Sequence, residues 1–161
     1  MDEEKRNNCL KKIEERGIDK HTVLFAAFIG GFDKFGLNQG EVLLISKSAG
    51  EKLAHYYDVY GKIAGHDIKS VIEFLNGELA ISRNTIVEES SDFITVKIET
   101  GSCRYCPIAV GDAELKGTAC PFPGLIEGFV NRTLQRKAIA YDRLSGLNKD
   151  GTFCNMKFKK I

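Results

Sequence analysis

The sequence predicts an α+β fold, and three observations carry that reading. Apolar positions recur at helical spacing through the first half of the chain, as far as about residue 75. Beyond Leu79 the period changes to two, with Ile94, Val96 and Ile98 alternating with Thr95, Lys97 and Glu99. A single strong helical segment after Cys120 then lies between two pairs of strands, so helical and strand patterns both occur, in separate segments of the chain.

Residues 3 to about 16 read as a charged helix stopped by Gly17, with few apolar positions. Residues 1–18 are therefore expected to form a loosely packed arm, and 19–161 a single domain. A second helix begins near Asp19, with Val23, Leu24, Ala27, Phe28 and Phe32 as one apolar stripe. Gly30-Gly31 interrupts it and lowers helix stability. Asn38 is placed to cap a third helix, with Glu41 completing a capping box. Val42, Ile45, Ala49, Leu53 and Tyr56 continue it to about Tyr60. Asp67 caps a short helix through Ile68, Val71, Ile72 and Leu75, ended by Gly77.

Leu79 to Val87 and Asp92 to Glu99 read as strands around a Glu-Ser-Ser turn. Residues 107–118 hold a short helix or an irregular loop. Pro121, favoured at a first helical position, opens the clearest helix in the chain. Its buried face comprises Phe122, Leu125, Ile126, Phe129, Val130 and Leu134. Two strands follow, Lys137 to Leu144 and Thr152 to Lys159, joined by a Gly- and Asn-containing loop at 145–151. In the last strand Cys154, Met156 and Phe158 share a face, which points Cys154 inward.

The 161 residues suit one domain with its own core. A net charge of +1 disfavours a general nucleic-acid binder, which carries a basic excess. No apolar run reaches membrane-spanning length, and the charged start Met1 to Arg6 leads into no signal-peptide core, so the cytoplasm is the expected location. Cysteines there serve as metal ligands or reactive thiols more often than as disulfides.

Four of the five cysteines fall in the C-terminal third, at Cys103, Cys106, Cys120 and Cys154. Each stands at an expected break or end of an element, where residues distant in sequence can converge. Cys103 and Cys106 have the Cys-x2-Cys spacing that lets two sulfurs face one ion. The other two are unorthodox, thirteen and thirty-three residues further on, instead of a second such pair. Cys120 gains from its place before a helix, where the macrodipole favours thiolate. Three readings stay open: a zinc shared by all four, a redox pair of Cys103 with Cys106, and buried thiols acting as small hydrophobes. Cys9, in the charged arm, is the outlier.

Other features carry less. His21, His55 and His66 pair with no carboxylate at a suggestive spacing, and neither a Walker loop nor a dinucleotide fingerprint is present. Gly124-x3-Gly128 permits close approach by a neighbouring element or a ligand. An apolar pocket would be lined by Phe28, Phe32, Leu125 and Phe129, although aromatic residues at helical spacing are by default core.

At Cys120-Pro-Phe-Pro-Gly-Leu-Ile-Glu-Gly-Phe-Val-Asn the chain resembles the 4-vinyl reductase (hydrocarbon-binding) domain family, over roughly residues 20 to 160. It is most similar to a stand-alone archaeal member. The resemblance implies an antiparallel sheet of about four strands packed against helices, as in Golgi transport-particle subunits and aromatic-responsive sensor domains. It further implies an apolar ligand, a dimer, and a zinc near Cys120, Asp142 and Cys154. The remaining cysteine of that pattern falls near Ser145, so Cys103 and Cys106 would replace it and the acid. The combined expectation is a non-enzymatic module that holds zinc and binds a small hydrophobic molecule. The alternatives are a thiol redox sensor or an accessory protein in tetrapyrrole metabolism.

Overall fold

The computed structural model describes residues 3–62, 65–106 and 120–161. Among the described residues, five helices and five strands occur in the order α1 (Glu3–Arg16), α2 (Lys20–Lys34), α3 (Gln39–Val59), α4 (Ile68–Leu79), β1 (Thr85–Glu89), β2 (Phe93–Glu99), α5 (Phe122–Thr133), β3 (Ile139–Tyr141), β4 (Leu147–Lys149) and β5 (Phe153–Lys160). The α+β class and the antiparallel sheet packed against helices are thus observed. The expectation for 107–118 lies outside the described residues.

Local chemistry explains the starts of α3 and α4. Asn38 Oδ1 accepts from Glu41 N–H at 3.2 Å, while Glu41 Oε2 accepts from Asn38 N–H at 2.8 Å. Asp67 and Ser70 form the equivalent reciprocal pair before α4. Gly77 does not end α4. The helix continues to Leu79 and closes at Ala80 in the left-handed region (φ 46°), with Ile81 N–H donating to Asn76 O. The first strand consequently starts later than its apolar pattern suggests, at Thr85.

All strand pairs are antiparallel. β2 and β5 form the centre, β1 flanks β2, and the other edge of β5 is shared by β3 and β4. β4 falls within the segment expected to be a loop, and it pairs Lys149 with Cys154. The break between β3 and β4 is a turn held by Asp142, whose Oδ1 accepts from Leu144 N–H and Oδ2 from Ser145 Oγ.

Ile94, Val96, Ile98, Met156 and Phe158 form the inner sheet face, fully buried with Val71, Ile72 and Leu75 of α4 and Ile126, Phe129 and Val130 of α5. Tyr57, Phe74 and Phe129 join α3, α4 and α5 in one aromatic cluster. α3 then crosses α5 at unusually short range. A Cβ on Gly128 would stand 2.1 Å from Lys47 O, one on Gly124 2.2 Å from Ser46 Oγ, and one on Gly50 2.2 Å from Leu125 O. Gly124-x3-Gly128 therefore serves helix–helix packing.

That close approach corrects the expected face of α3. Its buried residues include Ser46, Gly50 and Ala54, whereas Ile45, Ala49 and Tyr56 are exposed. α2 is also turned relative to expectation: Thr22, Ala26 and Ile29 are buried, and Val23, Leu24, Ala27 and Phe28 face out. It runs unbroken through Gly30-Gly31. No described helix is long and apolar enough to cross a membrane.

A candidate four-cysteine centre

Cys103 and Cys106 lie on the loop leaving β2, which is pinned on both sides. Thr100 N–H donates to Thr152 O at 2.8 Å, and Arg104 N–H to Ile81 O at 3.0 Å. Ser102 Oγ lies 2.7 Å from Ser82 Oγ and donates to Glu99 Oε2 at 2.5 Å. Cys154 sits in β5 opposite Ile98 of β2, so strand register brings it beside the start of that loop. Cys120 lies one residue before the N-cap of α5, which is Pro121, so the helix starts one residue later than expected, at Phe122.

Three elements thus deliver four thiols to one electrostatic neighbourhood. Cys103 feels Cys106 and Cys154, and Cys120 feels the other three. All of them are free thiols, as is Cys9 on α1. Burial pushes Cys103 up to about 12 and drives Cys120 well above the ordinary thiol range; Cys154 is raised as well. Opposing this, the backbone N–H dipoles of Tyr105 and Phe122 favour the thiolate at Cys103 and Cys120 respectively. The Arg16 and Lys149 cations act in the same sense on Cys103 and Cys154. At Cys120 the expected thiolate-favouring helix start is overridden, because loss of hydration outweighs the local N–H dipole.

Among the described residues no three His, Cys, Asp or Glu side chains already stand in metal-holding geometry. Two polar atoms left without partners nevertheless belong to this corner. Arg104 Nε, between the paired cysteines, is buried without an acceptor. The buried Tyr141 hydroxyl also lacks a partner, and its pKa, about 12, is raised by burial and then by Cys120.

Asp142 and Ser145, raised by resemblance to a zinc-binding pattern, are engaged with each other in the β3–β4 turn. The Ser145 hydroxyl holds the Asp142 carboxyl below its usual range. Of the four residues expected to line an apolar pocket, Leu125 and Phe129 are buried in the main core, Phe28 is 62% exposed, and half-buried Phe32 belongs to neither apolar cluster. A cleft of about 400 Å³ is lined by Tyr57, Asp58, Lys62, His66 and Arg132 among others, and a hole of about 50 Å³ by Lys47, Gly124, Glu127 and Tyr141. None of the four expected residues lines either.

Sequence reasoning missed the Lys47–Glu127 pair, which closes at 2.7 Å beside the glycines. Glu127 Oε2 also accepts from Tyr141 N–H at 2.9 Å, joining α3, α5 and β3. The available signal was the run of small residues Ser46, Gly50 and Ala54, spaced to face Gly124 and Gly128.

The MJ0207 family profile matches residues 36–160, most of the chain. The chain belongs to the MJ0207 family. Protein MJ0207 of Methanocaldococcus jannaschii is 31% identical over 120 residues, covering 72% of this chain and 74% of that protein. Protein MJ1342 of the same archaeon is 26% identical over 93 residues, covering 56% and 78%. This assignment overturns the resemblance to the 4-vinyl reductase family. The stretch that carried it, Cys120 to Asn131, owes its two prolines and its glycines to a helix start and to the crossing with α3, requirements that any tightly packed helix can share. The MJ0207-family match begins after α2, so the two N-terminal helices precede it.

Proposed function

We propose that this chain is a non-enzymatic module whose cysteine corner is completed by zinc bound to Cys103, Cys106, Cys120 and Cys154. The observation that carries the reading is that three thiols from the β2 loop and β5 lie within electrostatic reach of a fourth, Cys120 at the start of α5. Tetrahedral thiolate coordination is the arrangement such a set suits. Backbone donors at Cys103 and Cys120 support it, because they stabilise the thiolate form a metal requires. A redox pair is less well supported, since burial holds the Cys103 thiol protonated at neutral pH and so unreactive. Zinc would supply the positive charge that these buried sulfurs otherwise lack, displacing their protons.

The test is metal analysis of protein prepared without added metal, alongside serine variants of each cysteine. One zinc per chain, lost in C103S, C106S, C120S and C154S and retained in C9S, is the expected pattern. Metal-free protein that binds no added zinc would refute the site.

A further inference from the structure

The N-terminal helices share no extensive interface with any other described helix or strand. Their own apolar cluster is small, comprising Ile18 and Ala26 with Ile13 against them. Several of their polar and aromatic contacts instead converge on the cysteine loop. Arg16 Nη1 donates to Cys103 O at 3.3 Å. Arg104 Nη2 donates to Asp19 Oδ2 at 3.0 Å, and Tyr105 meets Phe25 edge-on with ring centres 5.3 Å apart. Both spacer residues of the Cys-Arg-Tyr-Cys motif are thus engaged with the arm. A nearby contact, Arg83 Nη2 to Glu15 O at 2.9 Å, adds to the same side.

Asp19 makes the attachment directional. Its Oδ1 accepts from His21 N–H, Thr22 N–H and Thr22 Oγ1, which caps the start of α2, while Oδ2 takes Arg104. Tyr105 continues inward, with its ring against Phe122 and its hydroxyl donating to Leu79 O at 2.8 Å. The turn between Cys103 and Cys106 therefore sets where two arm-holding side chains point.

We propose that occupancy of the four-cysteine centre controls docking of the α1–α2 arm, with the Cys103–Cys106 turn as the latch. The proposal rests on the zinc reading above. Binding both sulfurs to one ion fixes the turn, and with it Arg104 and Tyr105. The net negative charge of zinc with four thiolates also strengthens the pull on Arg16, the arm cation at Cys103. Without metal the turn relaxes and the arm is held less firmly. Because coupling is reciprocal, a docked arm also raises zinc affinity by the same factor.

Amide hydrogen exchange on the full chain, with zinc and with excess chelator, reads the latch, and metal content of the same samples reads the site. Zinc is expected to slow exchange in α1 and α2 by about 5-fold or more, the lower end of typical coupling. R104A and F25A should still take up one zinc, yet show an arm that exchanges almost as fast as in chelated protein. They should also bind zinc more weakly in competition with a chelator. If zinc binds and arm exchange is unchanged, the latch is wrong and the site stands. If no zinc binds, both are wrong, and the metal measurement says so independently.

Discussion

The α3–α5 crossing and the cysteine corner both join segments far apart in sequence, by opposite means. At the crossing, glycines let backbone meet backbone, and the Lys47–Glu127 pair beside them is satisfied within the chain. At the corner, four thiols share one neighbourhood, Cys103, Cys120 and Cys154 with raised pKa values, and two polar atoms beside them, Arg104 Nε and the Tyr141 hydroxyl, lack partners. On the proposed zinc reading, the first region is complete as it stands, while the second takes its charge from a bound ion. Packing and coordination can therefore be told apart by what each region needs from outside.

The largest expected effect belongs to the crossing. G128A places a methyl 2.1 Å from a backbone oxygen of α3 and should cost about 4 kcal/mol, the range reserved for severe core disruption. Urea unfolding would measure it, and zinc should not change the loss. At the corner, chelation should lower stability by about 3 kcal/mol at free zinc near 100 times its dissociation constant. C9S should respond to chelator as the parent does, whereas C120S should show no response. A chelator-dependent loss in G128A alone would erase the proposed distinction.

E127A is expected to cost about 2–3 kcal/mol, because it removes the partner of Lys47 and the acceptor for Tyr141 N–H from a side chain that is 14% exposed. Up to about pH 10, the smallest effect is in pH. The folded pKa of Cys103 is raised from 9.0 to about 12, so the unfolded chain ionises first as pH rises. Metal-free protein is accordingly unaffected by this group below pH 9 and loses stability between 9 and 12, by roughly 1 kcal/mol at pH 10. Loaded protein should instead weaken on the acid side, where protons compete for the sulfurs. Denaturation midpoints across pH, with and without zinc, would show whether the two profiles diverge in this way.

Legibility in the sequence followed the kind of interaction. The capping pairs Asn38–Glu41 and Asp67–Ser70 act over three residues, and the starts of α3 and α4 could be read from Asn38, Glu41 and Asp67. The alternation in β2 and the buried face of α5 were equally plain, because large apolar side chains there do face the core. The same rule misled at α3, where Ile45 and Tyr56 are exposed and the small residues Ser46 and Gly50 are buried. Backbone contact with α5 reverses the usual link between side-chain size and burial. In α2, Phe28 marked the wrong face because the arm buries only a narrow strip around Thr22, Ala26 and Ile29. β4 escaped because Leu147 to Lys149 has only three residues and depends on pairing with β5. The cysteine candidates were visible from their positions at element ends, but the raised pKa values of Cys103, Cys120 and Cys154 and the attachment of Arg104 to Asp19 arise only from tertiary placement.

Cobalt(II) added to metal-free protein tests the central claim most directly, because its visible spectrum reports both geometry and sulfur ligation. The account predicts one equivalent bound, with the intense absorption of a tetrahedral thiolate site that zinc then displaces. Weak absorption of a hydrated, six-coordinate ion, with all five thiols freely reactive, would contradict it.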